Sequence, residues 1–173
     1  MVKAIVLHSG GIDSTVALAL ALEENDRDVL AVSFLYGQKH HKEIDASIDV
    51  CYQLGVEHST YKLNVNLFAG SVITEHGGQV PTGTYAEVQA GREGPIAAYV
   101  PFRNGQLISA AAAIAVQIGA QYIYFAAHAD DHERWAYPDC GPEFVGAMAN
   151  AVYIGTNRQV RLRTPLVWMT KSE

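Results

Sequence analysis

Short apolar runs alternate with segments of helical periodicity along the chain. The runs that predict buried strands are Ala4–Leu7, Val29–Leu35, His58–Leu63, Tyr122–Ala127 and Val160–Thr164. The segments that predict helices are Val16–Leu22, Lys42–Leu54, Leu107–Ile118 and Glu143–Ile154. Strands that alternate with helices are typical of α/β proteins. We therefore predict a doubly wound, five-stranded parallel sheet with helices on both faces, a Rossmann-like architecture.

Three of the predicted helices carry further information. The Val16–Leu22 segment is unbroken Val, Ala and Leu, which predicts a helix buried nearly all round. In Lys42–Leu54 the apolar residues form one stripe that includes Cys51, so this cysteine is expected in the core. The Leu107–Ile118 segment is apolar on more faces than one sheet can cover, and we therefore expect a homodimer.

Two adjacent glycines, flanked by hydroxyl groups, join the first strand to the first helix. This segment reads Ser9-Gly10-Gly11-Ile12-Asp13-Ser14-Thr15. Glycine lets the backbone turn sharply, and the free amides and positive dipole end of the following helix favour an anion. With the hydroxyls as further donors, the segment predicts a cradle for a phosphate or pyrophosphate, whereas a plain tight turn is the alternative.

Composition narrows the classes of partner. The chain has 173 residues, which suggests one domain, and its formal net charge is −6. Proteins that bind nucleic acid usually have a basic face, so we expect a small-molecule substrate and no nucleic acid. No apolar run approaches the ~20 residues of a membrane span, and we expect no membrane contact. Two distant cysteines, Cys51 and Cys140, fit a reducing cytoplasm.

Segments rich in reactive side chains follow the predicted strands or precede a predicted helix. They are Ser9–Ser14, Tyr36–Glu43, Arg103–Asn104 and His128–Cys140. Ligands of an open parallel sheet bind outside the carboxyl ends of its strands, so we expect these segments to form a single site. The glycine-rich stretch 66–99 either covers that site or is a surface loop.

Four motifs in the chain resemble those of one enzyme family. They are SGGIDST at 9–15, YGQKHHKE at 36–43, VPFRN at 100–104 and YPDCGPEF at 137–144. The first resembles the phosphate loop of the N-type ATP pyrophosphatases, and together the four resemble the 7-cyano-7-deazaguanine synthase family. This resemblance implies a ligase of queuosine or deazapurine biosynthesis. It would convert 7-carboxy-7-deazaguanine, ATP and ammonia into the nitrile through an adenylated carboxylate and then an adenylated amide.

The resemblance also implies roles for individual residues. The ATP phosphates would bind to Ser9, Gly10, Gly11, Ile12, Asp13, Ser14 and Thr15. The implied catalytic residues are Asp13, Ser14, Arg103 and Lys171. Of these, Arg103 and Lys171 would add positive charge beside the polyphosphate. Mg²⁺ would bridge phosphate oxygens, and the sequence leaves its carboxylate ligands open.

Recognition of the deazaguanine ring requires a carboxylate to accept its N–H donors. The candidates are Asp139 first, then Glu43 and Glu87. The aromatic residues that could stack on the ring are Tyr137, Tyr99 and Phe102. The other implied substrate contacts are Tyr36, Gln38, His40, Arg103 and Asn104.

Several of these residues also have purely structural interpretations. Asp139 could cap a helix that starts near Pro142, and Tyr36 and Glu43 could be a strand-end tyrosine and a solvated glutamate. Cys140 either has a pKa lowered by a nearby helix N-terminus or packs in the interior.

The loop at 128–136 departs from the family pattern. It reads HADDHERWA, where the family usually has Ser-Gly before YPDC. His128 and His132 flank Asp130-Asp131, which suggests a metal site, but such loop residues are more often solvated and we predict no metal ligands. The departure leaves two alternatives to nitrile synthesis. One is a deazaguanine amide synthase that stops after the first ammonia addition, and the other is a non-catalytic nucleotide-binding module.

The final residues predict that the protein continues. Thr170-Lys171-Ser172-Glu173 has the S/T-x-x-E pattern of a capping box, which marks the start of a helix. The family carries a C-terminal site of four cysteines that binds zinc. We therefore expect residues 1–173 to be a single ATP-pyrophosphatase domain without that segment, and Zn²⁺ to bind only to a longer chain.

Overall fold

The computed structural model describes residues 2–37, 42–64, 94–96 and 98–173. Its strands are β1 (Ala4–Leu7), β2 (Val29–Leu35), β3 (Glu57–Lys62), β4 (Tyr122–Tyr124) and β5 (Arg161–Arg163). They form one sheet in the order β3-β2-β1-β4-β5, and each neighbouring pair is parallel. The predicted five-stranded parallel sheet is confirmed.

Helices cover both faces of this sheet. They are α1 (Ile12–Glu24), α2 (Lys42–Leu54), α3 (Arg103–Ile118), the short α4 (Ala129–His132) and α5 (Pro142–Gly155). Two 3₁₀ turns, Glu133–Trp135 and Pro138–Cys140, separate α4 from α5. The predicted stretch at 66–99, with Glu87, lies almost entirely outside the described residues, as do Gln38 and His40.

Alternate residues of β1 point to opposite faces, because successive side chains of a strand do so. Ile5 belongs to the core formed with α3 and α5, which includes Ile108. Val6 belongs to the core formed with α1 and α2, which includes Cys51 at 1% exposure. The prediction that Cys51 is a core residue is confirmed, and the doubly wound arrangement follows from this division.

Two helices differ from the sequence prediction in extent and burial. α1 begins at Ile12, and one of its faces is open, since Ile12 is 73% and Val16 is 42% exposed. The prediction of burial nearly all round was therefore wrong. α3 begins at Arg103, four residues before the predicted Leu107, because its first turn is capped from elsewhere in the chain.

The short segments near the end also differ in detail. β4 stops at Tyr124, although the Phe125 N–H still bonds the Arg163 carbonyl at 2.9 Å. Half of the predicted capping box forms, since Glu173 Oε2 accepts the Thr170 N–H at 2.9 Å. The Thr170 hydroxyl donates to that same carboxylate instead of accepting an amide.

Within the described ranges, no helix is both long and apolar enough to cross a membrane. The topology creates a crevice between β1 and β4, because the connections from these neighbouring strands leave toward opposite faces. Such a switch point is where ligands bind in open parallel sheets.

Candidate active site

A cavity of about 420 Å³ lies at the carboxyl ends of β1, β2 and β4. Four chain segments that are distant in sequence line it together. They contribute Ser9, Gly11, Asp13 and Ser14 after β1, Tyr36 and Glu43 after β2, Arg103 and Asn104 at the start of α3, and Asp131 and Cys140 after β4. The segments that the sequence expected to form a single site do share one cavity.

The loop between β1 and α1 is shaped by close packing at Gly10. This residue has φ +81°, and a Cβ there would lie 2.7 Å from Ser47 N and 2.8 Å from the Glu43 carbonyl oxygen. Gly10 is therefore required by contact with α2. Gly11 has an extended backbone and serves as the N-cap of α1 without any described side-chain cap. The first amides of α1 thus remain available for an anion at the cavity.

The hydroxyls of the loop hold it together. Ser14 Oγ and Thr15 Oγ1 each donate to the Gly11 carbonyl at 2.9 Å. Ser9 Oγ lies 3.2 Å from Ser14 Oγ, and the Ser9 N–H also donates to Ser14. Two of the three hydroxyls predicted as phosphate donors therefore fix the Gly11 carbonyl, which keeps that oxygen directed toward the helix.

Charged side chains meet at the mouth of this loop. Lys171 Nζ lies 3.3 Å from Asp13 Oδ2, and the Lys171 N–H donates to Asp130 at 2.9 Å. The segment after β5 is also tied to the start of α4, because the Ala129 N–H donates to the Met169 carbonyl. Lys171 is therefore placed beside the phosphate loop although 158 residues separate it from Asp13.

His128 lies buried behind that loop. Its Nε2 is 3.3 Å from Asp131 Oδ1 and 3.6 Å from Asp13 Oδ2. Burial raises the pKa of Asp131, and His128 opposes the shift. The expectation that these loop residues are solvated was wrong for His128 and Asp131. No group of three or more potential metal ligands occurs in the part of the chain that the structure describes.

Arg103 brings a cation to the opposite wall of the cavity. Its Nη1 donates to the Tyr36 hydroxyl at 3.2 Å, and its guanidinium lies 5.7 Å from the centre of the Tyr36 ring. The buried Nε has no partner among the described residues. Burial disfavours the charge, but Tyr36 and Asp139 outweigh this effect and raise the pKa of Arg103.

Asp139 is placed differently from its predicted role. Its buried carboxylate accepts the Asn104 N–H at 2.9 Å and so caps α3, and it does not line the cavity. Capping is thus its observed contact, but of α3 and not of the helix near Pro142. Asn104 Nδ2 also bonds the Asp139 carbonyl and Cys140 Sγ. Burial raises the pKa of the Cys140 thiol, so the alternative of a lowered pKa was wrong.

The aromatic candidates also lie away from the cavity lining. Tyr137 and Tyr99 contact each other edge to face, with ring centres 6.5 Å apart. Phe102 contacts Phe144 in the same manner at 5.8 Å. The rings that line the cavity are Phe34, Tyr36 and Phe125. Phe34 and Phe125 carried no sequence signal, because a strand-end phenylalanine looks like any core residue.

A second set of residues was missed by the sequence analysis. His8 and Ser33 line the cavity, are buried, and belong to a polar cluster with Ser47 and His58. The only available signal was polarity within apolar strands, namely a serine in VLAVSFL and a histidine directly after AIVL.

Comparison with known proteins identifies the family of this chain. The sequence profile of the family described as "Queuosine biosynthesis protein QueC" matches residues 3–173. The chain belongs to the QueC family. The resemblance carried by its four motifs is thereby confirmed, and the chain is an enzyme of this queuosine biosynthesis family.

Curated relatives agree with that assignment. A 7-cyano-7-deazaguanine synthase of Desulfotalea psychrophila is 39% identical over 176 residues, covering 100% of this chain and 76% of the relative. One from Marinomonas sp. is 39% identical, covering 99% and 75%. Another from Methanoregula boonei is 38% identical, covering 99% and 76%.

Solved structures share the fold at low sequence identity. A predicted subunit of tRNA methyltransferase from Methanocaldococcus jannaschii superposes with TM-score 0.60 at 12% identity, covering 99% of this chain and 71% of that one. The U34-tRNA thiolase NcsA from Methanococcus maripaludis gives 0.58 at 14%, covering 99% and 54%. These similarities show a common Rossmann-like fold.

Proposed function

We propose that this chain converts 7-carboxy-7-deazaguanine and ammonia into 7-cyano-7-deazaguanine, with ATP cleaved to AMP and pyrophosphate. The observation that carries the proposal is one cavity with an uncapped helix N-terminus on one wall and the Arg103 cation on another. The first suits a polyphosphate, and the second suits a carboxylate. The names of the relatives support the choice of substrate.

The chemistry explains why both anions must share a cavity. A carboxylate is a poor electrophile, so its oxygen first attacks the α-phosphorus of ATP, and pyrophosphate leaves as the P–O bond breaks. Ammonia then attacks the activated carbon, AMP leaves, and loss of a proton gives the amide. The amide oxygen then attacks the α-phosphorus of a second ATP and pyrophosphate leaves again, after which loss of AMP and protons gives the nitrile. Each adenylation requires the two reactants in line and water excluded.

Arg103 is proposed to hold the reacting carboxylate. Tyr36 accepts a hydrogen bond from Nη1, and the remaining N–H groups of the guanidinium would pair with the anion. This arrangement would place the carboxylate opposite the phosphate loop. Lys171 is proposed to move from Asp13 to the polyphosphate when ATP enters, since phosphate carries the greater negative charge.

Glu43 is proposed to recognise the deazaguanine ring. It lines the cavity, whereas the carboxylate of Asp139 already accepts an amide of α3. Tyr36, Phe34 and Phe125 supply the aromatic surface on the same walls. Gln38 and His40 remain candidates from the family resemblance, outside the described residues.

Mg²⁺ is proposed to accompany ATP. Such ions take one or two carboxylates together with phosphate oxygens and water, and the cavity offers Asp13 and Asp131 beside the phosphate loop. The donor set therefore fits, and the ion would neutralise phosphate charge during adenylation. The chain's own contribution is to orient Asp13, which His128 and Lys171 contact from two sides.

Pyrophosphate release tests the function directly. With Mg²⁺, ATP and ammonia, release should depend on 7-carboxy-7-deazaguanine, and mass spectrometry should find the nitrile. Asp13→Ala should abolish release, whereas Asp26→Ala, at the opposite end of the sheet beside Lys3, should retain it. No release with the intact chain would leave a nucleotide-binding module. An amide as the final product would establish the amide synthase that the unusual 128–136 loop allows.

A homodimer is also proposed. α3 leaves Val116 42% exposed on its outer face, although most of the helix is covered by the sheet. Light scattering at micromolar concentration should give twice the monomer mass of 18.7 kDa. A monomeric mass under those conditions would exclude the assembly.

A further inference from the structure

We propose that Ser47 on α2 and His8 at the end of β1 are positioning residues for the phosphate loop. They form a hydrogen-bond chain, buried at its centre, that runs from His58 to the Gly11 carbonyl. This inference rests on the proposed function, in which that loop binds the phosphates of ATP. Neither comparison nor motif assigns a role to Ser47 or His58.

The chain of contacts is continuous, and it is buried at its centre, where Ser47 meets His8. His58 Nε2 lies 2.8 Å from Ser33 Oγ and 3.1 Å from Ser47 Oγ. Ser47 Oγ lies 2.7 Å from His8 Nδ1, and His8 Nε2 lies 3.3 Å from Thr15 Oγ1. His8, Ser33 and Ser47 are all buried. The contacts therefore connect an edge strand of the sheet, through α2 and β1, to the first turn of α1.

Counting protons fixes the direction of these bonds. Thr15 has one hydroxyl proton, which goes to the Gly11 carbonyl at 2.9 Å, so His8 Nε2 must be the donor to Thr15. In the neutral ring Nδ1 is then the acceptor, and it takes the proton of Ser47 at 2.7 Å, a shorter contact than the 3.5 Å between Ser47 Oγ and the His8 carbonyl. Ser33 donates to the His8 carbonyl at 2.6 Å, and His58 donates into the two serines. The single N–H of His58 Nε2 is shared between the two serines, and the bonds from Ser47 through His8 and Thr15 all run toward Gly11.

The direction matters for anion binding. An anion site needs the loop amides facing the ligand and the loop carbonyls turned away. The hydrogen-bond chain ends on the carbonyl of Gly11, the N-cap of α1, and strengthens the donors that hold this carbonyl. Backbone packing acts at the same place, because Gly10 sits against Ser47 N. Ser47 does not line the cavity, so it acts on a ligand only through His8 and the loop.

Nitrogen NMR on the intact chain provides the first test. The long-range ¹H–¹⁵N spectrum of His8 should show the neutral form with its proton on Nε2. A proton on Nδ1 would reverse the direction of the hydrogen bonds between Ser47, His8 and Thr15 and overturn the proposal. This measurement depends on neither ATP nor a variant.

Calorimetric titration with α,β-methylene-ATP and Mg²⁺ provides the second test. Ser47→Ala should raise the Kd about tenfold, while Ser109→Ala, whose hydroxyl bonds its own helix at Gly105 among the described residues, should change it less than twofold. Thr15→Val should also weaken binding, and the double variant should lose less than the two single losses combined, because both break one chain. If Ser47→Ala does not fold, His8→Ala, which removes the donor to Thr15, replaces it in the same cycle.

The outcomes separate this inference from the proposed function. If the wild-type chain does not bind the nucleotide, the proposed function fails, and the NMR result still decides the direction of the chain. If the wild type binds and Ser47→Ala lowers only the melting temperature, with Kd unchanged, Ser47 is a packing residue and the positioning role is wrong. Additive losses in the double variant would likewise contradict it.

Discussion

Arg103 is the residue whose geometry bears most directly on the proposed chemistry. Arg103→Lys keeps the positive charge but removes Nε and the planar fork. We expect kcat/KM for 7-carboxy-7-deazaguanine to fall about tenfold to a hundredfold, as expected from losing a charged hydrogen bond worth about 1.5–3 kcal/mol. Arg163→Lys is the matched control, because Arg163 lies in the edge strand β5 and stacks on Tyr122 of β4. Equal losses in both variants would contradict the role of Arg103.

His8, also at the scale of single residues, gives a prediction about how the stability of the fold depends on pH. Burial, with a smaller contribution from His58, lowers the pKa of His8 from 6.5 to about 4. Between pH 6.5 and 4, His8 is protonated in the unfolded chain but neutral in the folded chain. The stability that His8 contributes is therefore highest above pH 6.5 and is lost as the pH falls toward 4.

The measurement is urea unfolding of the wild type and His8→Gln across pH 4–7. The free energy of unfolding should fall more steeply with acid in the wild type, by about 2 kcal/mol over the range, since one pKa unit is about 1.4 kcal/mol and partial solvation reduces the full value. Identical slopes would show that His8 is not buried as a neutral group. Asp131 and Asp139 have raised pKa values and act in the opposite direction in both proteins.

Among the elements, the β1–α1 loop and α2 are interdependent. Gly10→Ala would place a methyl group 2.7 Å from Ser47 N at φ +81°, where an L-residue is itself strained. We expect the free energy of unfolding to fall by about 2–4 kcal/mol. Gly146→Ala is the control, since nothing lies within 4 Å of its Cβ in α5. That change should be neutral or stabilise by about 0.5–1 kcal/mol, and a similar loss in both would refute the close contact at Gly10.

The elements also show what the sequence could and could not predict. Hydrophobic periodicity located the strands and the main helices, because both depend on local pattern. The start of α3 depends on Asp139, which accepts the Asn104 N–H from 35 residues away, and no local signal records that cap. For the same reason the sequence favours Asp139 as a substrate contact and offers, as the structural alternative, a cap on the helix near Pro142.

The candidate site likewise has one part that the sequence could predict and one part that it could not. The glycine loop and Glu43 could be placed because each follows a predicted strand, and Arg103 because it precedes a predicted helix. The contacts of His128 with Asp13 and of Ser47 with His8 join segments that are far apart in sequence, so only the folded chain brings them together. Polar residues buried in strands, such as Ser33, were the available hint of that cluster.

At the scale of the whole molecule, the sheet separates two similar exposed ion pairs. Lys171 pairs with Asp13 at 3.3 Å at the carboxyl end of the strands, and Lys3 pairs with Asp26 at 2.6 Å at the amino end. The lysine side chains are 55% and 45% exposed, so neither pair should contribute much to stability. If removing the two lysines changes nucleotide affinity to very different extents, the difference must therefore arise from ligand binding at the carboxyl end of the strands.

Lys171→Ala and Lys3→Ala test this asymmetry as a matched pair. Lys171→Ala should weaken binding of ATP with Mg²⁺ about tenfold in calorimetric titration, because it removes a cation beside the phosphate loop and leaves Asp13 unneutralised. Lys3→Ala should change the Kd less than twofold, and urea midpoints of both should stay close to wild type. The loss for Lys171→Ala should shrink at high salt, since the interaction is partly screened. Equal Kd changes in the two variants would mean that net charge, and not the position of Lys171 at the carboxyl edge, governs binding.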